Sequence, residues 1–421
     1  MWTRHNTWVN EFGGGEERMG SAKSYSGRVG APVGARLGRT LILAGESPLP
    51  PRSGLRLRVL HLARQLAVST NVELAALGAA EPAHAEPFSL TSVPHSRSRA
   101  VTALRSWRTP YAVEKRRSLA MGRLAARPCW STVQVESPAM APAARLARVP
   151  VVLDAYDVES ELLGSVAERC GPGPTRVRLY WEAGKTRRFE ERVATEVDAV
   201  CTASDADAEV FERWGAAEVV VVPNGVDTEA IAHRPPSPTG ADLLYIGQLG
   251  YLPNARAARE LVEDILPLVR AERSEARVRL VGRDGGSLSS LAGPYVDIAG
   301  EVPEVLPELR AARAVVLPLR AGSGTRLKVL EAMAAGVPVI ATPFAVAGID
   351  VQDERHVLLG VTARDLAAQV LRIYRDDALA AALSVNARKL VERAYDWSIV
   401  GEPLRALHAR LAERSAPCVR T

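Results

Sequence analysis

Residues 313–343, RAVVLPLRAGSGTRLKVLEAMAAGVPVIATP, gather the residue types best suited to holding an anion. An apolar strand ends at Leu319, and Gly322 and Gly324 let backbone come close to a ligand. A helix is expected to open near Arg326, with Leu327, Leu330 and Met333 or Ala334 turned inward. The amides around Ser323 and Thr325 and the positive end of that helix then face the ligand side of the loop. Arg326 and Lys328 carry the wrong sign for a first turn, so an anion between them offsets a cost, and a diphosphate is such an anion. Glu331, farther into the helix, is placed to accept hydrogen bonds from two adjacent ribose hydroxyls. Spacing alone equally fits a tight loop with two solvated bases and a surface carboxylate, because a single Gly-rich turn is a weak signal.

What must position these residues is legible in the rest of the chain. Its 421 residues suffice for two domains of roughly 150 to 200 residues each. RTLILA, NVELAALG, TVQVES, PVVLDA, VDAVCTAS and EVVVVP are apolar runs of strand length. LRLRVLHLARQLAVST, between the first two, has helical apolar spacing at Leu55, Val59, Leu62, Ala63 and Leu66. A second series, DLLYIGQLG, RVRLVGRDGG, VDIAGEV, RAVVLPL and VPVIATP, alternates with helical stretches. Such alternation builds parallel sheets. The expected boundaries are a flexible leader at 1–38, a first domain at 39–232, a Pro/Ser/Gly linker at 233–239 and a second domain at 240–395. A C-terminal helical segment, 396–421, is expected to pack back on the first domain.

Composition narrows the function classes. Cys129, Cys170, Cys201 and Cys418 are scattered, with no His at ligand spacing, which argues against a zinc site or a disulfide framework and suits a cytosolic protein. The net charge of +5 is small over 101 charged residues and gives no case for nucleic-acid binding. One stretch is more biased. Arg97, Arg99, Arg105, Arg108, Lys115, Arg116, Arg117, Arg123 and Arg127 share it with Glu114 alone, a face that admits peripheral contact with an anionic membrane or acceptor, or is only a solvated surface.

Other polar residues have ordinary readings beside chemical ones. Asp154, Tyr156, Asp157 and Glu159 follow a strand end, where catalytic groups gather, although structural hydrogen bonding serves them as well. Asp205 and Asp207 open a helix, where Ser or Asp acts as a cap. PNGVD at 223–227 is a strand-exit turn. His61, within the first helix, is read as surface or packing ahead of a catalytic base.

LLYIGQLGYLPNARAARELVEDILP, VGRDGG, IAGEVPEVLPELRAARAVVLPLRAGSGTRLKVLEAMAAGVPVIATP and VVPNGVD together resemble retaining glycosyltransferases of family 4, in the branch carrying GSGTRLKVLEAMA. LPPRSGLRLRVLHLARQLA and VVLDAYDVES resemble that family's first loop-helix and acceptor-side strand. The resemblance implies an α/β protein of two Rossmann-like domains facing a central cleft (GT-B), moving a sugar from a nucleotide-diphosphate donor to an acceptor that is not identified. It implies that Glu331 holds the donor ribose and that Gly322, Ser323, Gly324 and Thr325 serve the diphosphate and sugar. By the same resemblance Gly300 to Val302 flank the base, Gly54 and Gly247 give backbone access, and Asp154 and Tyr156 lie on the catalytic side. Neither a metal nor a cofactor is required when fixed amides and two bases stabilise the leaving nucleotide. Same-face departure, with the phosphate as base, accounts for retention.

Three positions depart from the family pattern. Ser323 replaces the first glutamate of a two-glutamate signature, leaving sugar preference open. Gln248 and Asn254 replace an Arg and a Lys that clamp the diphosphate, a task assigned here to Arg326 and Lys328. Tyr156 replaces a histidine, which fits either an altered donor or an impaired enzyme. A non-catalytic nucleotide-sugar-binding subunit and a nucleotide-sugar 2-epimerase are the alternatives.

Overall fold

A computed structural model describes residues 38–51, 53–79, 86–95, 99–236, 242–321 and 327–415. The leader expected at 1–38 therefore lies outside the described residues except for Gly38, as do 237–239 of the expected linker and the chain end from 416.

The first lobe holds a seven-stranded parallel sheet in the order β3-β2-β1-β4-β5-β6-β7. Its strands are β1 (Arg39–Ala44), β2 (Asn71–Leu77), β3 (Ser89–Val93), β4 (Thr132–Glu136), β5 (Val151–Ala155), β6 (Ala199–Thr202) and β7 (Val219–Val221). Its helices are α1 (Gly54–Ala67), α2 (Arg99–Arg105), α3 (Tyr111–Arg116), α4 (Leu119–Ala125), α5 (Ala141–Ala144), α6 (Glu159–Arg169), α7 (Pro174–Glu196) and α8 (Asp205–Arg213).

Alternation along β1 divides the core into two layers, because successive strand residues point to opposite faces. Leu41 and Leu43 join Val133, Val135, Met121, Trp130, Phe189 and Phe211 on one face. Ile42 and Ala44 join Val59, Leu62 and Leu66 of α1 on the other. Both faces being covered is why these strands read as unbroken apolar runs.

The second lobe repeats the plan with six strands in the order β10-β9-β8-β11-β12-β13. These are β8 (Asp242–Ile246), β9 (Arg277–Val281), β10 (Val296–Gly300), β11 (Ala314–Leu317), β12 (Val339–Ala341) and β13 (Leu358–Leu359). The helices are α9 (Leu252–Arg259), α10 (Leu266–Arg270), α11 (Leu306–Ala311), α12 (Leu327–Ala335), α13 (Ala363–Arg375) and α14 (Asp377–Ala394). In each sheet the order reverses beside the first strand, between β1 and β4 and between β8 and β11. Crevices open at such switch points, outside the carboxyl ends of the strands.

The chain crosses between lobes twice, and the crossings are tied together. Val226 donates its amide to Tyr395 O (2.8 Å), and Trp397 donates to Val226 O (3.2 Å). Thr228 donates through both its amide (3.1 Å) and its hydroxyl (2.7 Å) to Asp396 Oδ2. The returning segment forms α15 (Trp397–Val400) and α16 (Glu402–Ser415). Trp397, Val400, Leu404, Leu407 and Leu411 complete the α1 face of the first lobe. His61 stacks flat on Trp397, centroids 4.9 Å apart, so this histidine packs the joint. Burial pushes its pKa down to about 3, which leaves it neutral.

Candidate active site between two helix N-termini

The two crevices meet at α1 and α12. Ser53 caps α1 by accepting from Arg56 N (3.3 Å), and no acidic residue occupies the first turn. The first turn of α12 is likewise without an acid. The helix starts touch: a Cβ added to Gly54 would lie 3.2 Å from Leu327 Cδ1. Two dipoles thus direct their positive ends at one place, with no carboxylate in either first turn to neutralise them.

On the second-lobe side the floor is backbone. Gly282 has φ of +143°, and a Cβ there would fall 1.6 Å from Gly247 O, so β8 and β9 can exit side by side only with glycine at this position. Above Gly247 stands Lys328, whose Nζ would be 2.8 Å from a Cβ on that glycine. Lys328 donates to Asn254 Oδ1 (3.1 Å) and lies 5.2 Å from the centre of the Tyr245 ring. Asn254 also accepts from the Tyr245 hydroxyl (3.0 Å) and donates to Gln248 O (3.0 Å). A residue that seemed to mark a lost clamp thus fixes the ammonium of another. Glu331 is half-buried one turn along α12. Burial, partly offset by Lys328, raises its pKa to about 7. Gly300, with φ of +70°, accepts from Gly282 N (2.7 Å), and Val302 beyond it packs half-buried against the second-lobe core. Gly322, Ser323, Gly324, Thr325 and Arg326 lie outside the described residues.

The first-lobe side is built from side chains. A cavity at the ends of β1, β4 and β5 is lined by Gly45, Glu46, Arg116, Glu136, Ser137 and Tyr156, with Leu55, Arg56 and Val59 of α1 as one wall. Arg116 runs across Gly45, where a Cβ would lie 2.6 Å from its Nε. Arg56 is held by Glu46 (Nη2 to Oε2, 2.8 Å). Ser137 occupies a strained φ of +90°, and its buried hydroxyl has no partner among the described residues. The Tyr156 phenol is pushed up by burial, with Arg116 pulling the other way, so it stays protonated as a hydrogen-bonding group.

Asp154 does not line this cavity. It is fully buried, and Arg58 takes both its oxygens, Nε to Oδ2 at 2.8 Å and Nη2 to Oδ1 at 2.6 Å. Arg58 Nη1 donates to Val222 O (2.9 Å) and Asn224 Oδ1 (3.0 Å). Expected near the chemistry, this carboxylate instead ties α1 to β5 and to the PNGVD turn. Next to it, burial and the Asp154 charge hold Glu136 well above the usual carboxylate range. Glu136 Oε1 accepts from Gln134 Nε2 (2.7 Å), Gln134 Oε1 contacts His408 Nε2 (2.9 Å), and His408 Nδ1 contacts the Thr132 hydroxyl (2.8 Å). An amide oxygen only accepts, so Nε2 carries the proton and Nδ1 accepts from Thr132. Burial pushes His408 down to about 3, consistent with this neutral ring.

Sequence reasoning missed Arg58 and His408, whose partners come from distant segments, and Glu136 and Ser137, for which only the acid-serine end of TVQVES offered a signal. It also read the cap of α8 correctly in kind: Ser204 accepts from Asp207 N (3.2 Å).

Fold and sequence now define the class. Residues 240–376 match the family model for glycosyl transferases group 1, and residues 53–225 match the glycosyl transferase 4-like domain, one match in each lobe. The chain thus carries two glycosyl transferase domains in a two-lobed GT-B fold.

Among curated proteins it is 26% identical over 284 residues to a phosphatidyl-myo-inositol mannosyltransferase of Mycolicibacterium smegmatis, covering 61% of this chain and 70% of that one. It is 25% identical over 223 residues to the protein of that name from Mycobacterium leprae, covering 49% and 59% respectively. The match thus spans about three fifths of the latter's length. Among solved structures, Anabaena HepE in complex with UDP and glucose superposes with a TM-score of 0.64 at 15% identity, covering 88% of this chain and 99% of that one.

Proposed function

We propose that the chain transfers a sugar, with retention, from a nucleoside-diphosphate donor held by the second lobe to a hydroxyl seated in the first-lobe cavity. The observation that carries this is the contact of Gly54 with Leu327, which brings two uncompensated helix N-termini together beside Lys328. A diphosphate there accepts from open amides and meets one fixed ammonium, while Glu331 accepts from the ribose hydroxyls. As the glycosidic bond lengthens, charge accumulates on the departing phosphate, and these groups meet it without rearrangement. Arg326, two residues before Lys328 in sequence, belongs to the same reading, together with the loop 322–325.

On the acceptor side Tyr156, Ser137 and Glu136 orient the incoming hydroxyl, and its proton passes to the donor phosphate on the same face. Asp154 acts through Arg58, holding α1 in place, and so is a positioning residue. No divalent ion is needed on this reading, since amides and cations carry the neutralisation.

Purified protein incubated with UDP- and GDP-sugars and a panel of acceptors tests the reading. The panel begins with phosphatidyl-myo-inositol, which is named in both curated relatives. Transfer that persists in EDTA, with the anomeric configuration of the donor kept in the product, is the expected result. Inversion at the anomeric carbon refutes the same-face mechanism, and loss of turnover in EDTA restored by magnesium refutes metal independence.

A further inference from the structure

Away from the cleft, the first lobe presents an aromatic patch that no part of the proposed transfer uses. Trp107, just past α2, is 71% exposed, and Trp181 of α7 is 55% exposed. Their rings are 5.8 Å apart. Leu104, three residues before Trp107, is 80% exposed, and Val177, one turn before Trp181, is 70% exposed. Large apolar side chains clustered in this way mark a surface that meets something apolar.

The patch is held rigidly. Lys185 of α7, itself buried, donates to the carbonyl oxygens of Ser106 and Thr109 on either side of Trp107. Glu182 pairs with Lys185 (2.6 Å) and accepts from Tyr111 N (2.6 Å). A buried ammonium is thus committed to keeping the 106–111 loop against α7 with its tryptophan turned outward. Exposed arginines flank it. Arg108, Arg178 and Arg188 are exposed, Arg105 reaches Glu114 only at 3.9 Å, and Arg176 lies over the Tyr180 ring at 5.6 Å.

We infer that this patch is a docking surface for an anionic lipid bilayer. Indole rings settle at the boundary between headgroups and acyl chains, and arginines beside them meet lipid phosphates. Charge complementarity argues for a bilayer over a second copy of the chain, because symmetric self-contact would set one basic rim against another. Docking here also places the membrane one short helix from the first-lobe cavity, since α3 begins at the Glu182-bound Tyr111 and ends at Arg116.

The test is co-sedimentation of the full chain with vesicles of phosphatidylcholine plus phosphatidylglycerol, and with phosphatidylcholine alone, at physiological salt. The expected result is binding to the mixed vesicles with a blue shift of tryptophan emission, and at least about tenfold weaker binding to the neutral ones. Trp107→Ser/Trp181→Ser is expected to bind the mixed vesicles at least about tenfold more weakly with an unchanged melting curve, as both rings lie at the surface. Arg108→Gln/Arg178→Gln is expected to weaken binding and flatten its salt dependence. Equal sedimentation of wild type and the tryptophan variant, or no sedimentation of either, overturns the inference. So does light scattering that shows a dimer abolished by the tryptophan substitutions in a chain that ignores vesicles.

Discussion

The two crevices arise from the same strand order yet are furnished in opposite ways. In the second lobe the floor is glycine and backbone, with Lys328 and Glu331 placed above it. In the first lobe the ground beneath the cavity is two buried networks, Asn224–Arg58–Asp154 and Glu136–Gln134–His408, which meet where the Asp154 charge acts on Glu136. Backbone suits a ligand part that is the same in every donor. Side chains anchored on a buried network suit a part that differs from one acceptor to the next. The difference teaches that the charged groups nearest the strand ends are not interchangeable: Lys328 is part-exposed above Gly247, whereas Asp154 is consumed by the fold.

The sharpest way to break this distinction is Arg58→Met. It leaves Asp154 buried without its counter-ion, and unfolding in urea is expected to show a loss of about 3–5 kcal/mol. Arg58→Met/Asp154→Leu removes both charges and is expected to recover most of it. If Asp154→Asn instead abolished turnover in a protein of unaltered stability, the positioning role would be wrong.

In the other crevice, Glu331→Ala is expected to weaken nucleotide binding by about 1.5–3 kcal/mol in calorimetry, the range for hydrogen bonds to a charged group, without moving the melting temperature appreciably. Lys328→Ala is expected to cost about 1–2 kcal/mol in donor affinity, and its loss should fade in high salt because the site is open to solvent.

Proton linkage sharpens the comparison further. With Glu331 at about 7, its ionised fraction rises between pH 6 and 8, and donor affinity should rise with it by up to about tenfold. Glu331→Gln should bind with a flat pH profile. His61 and His408, both near 3, report on the joint and the first lobe. Their folded values lie below the unfolded one, so the stability they contribute is present above about pH 6.5 and is lost as pH falls towards 3. The slope is at most about 1.4 kcal/mol per pH unit for each histidine. His61→Phe, which keeps the stack on Trp397, should shallow that acid limb.

Much of the architecture could be read from local pattern because the central strands are covered on both faces. LILA at 41–44, VVLDA at 151–155 and AVVL at 314–317 are each almost wholly buried. β3, SLTSV, escaped because an edge strand with polar residues carries no apolar run, and β13 because it has only two residues. The basic 97–127 stretch showed its charge but not its three short helices, nor that Trp107, between the first two, is turned outward.

In the candidate site, residue type pointed to Gly54, Gly247, Lys328 and Glu331, since helix starts and glycine turns are local features. The fate of Asp154 was illegible because its partner lies 96 residues away, and that of His408 because it reaches Gln134 across 274 residues. A carboxylate after a strand looks the same in sequence whether a substrate or an arginine awaits it.

One wall of the first lobe is made of Trp397, Val400, Leu404, Leu407 and Leu411. During synthesis that lobe emerges first and is the last to be finished, since the α1 side of its core is completed only when the segment that closes it has been made. Until the second lobe has been translated, the apolar surface that these five residues cover stays open to water.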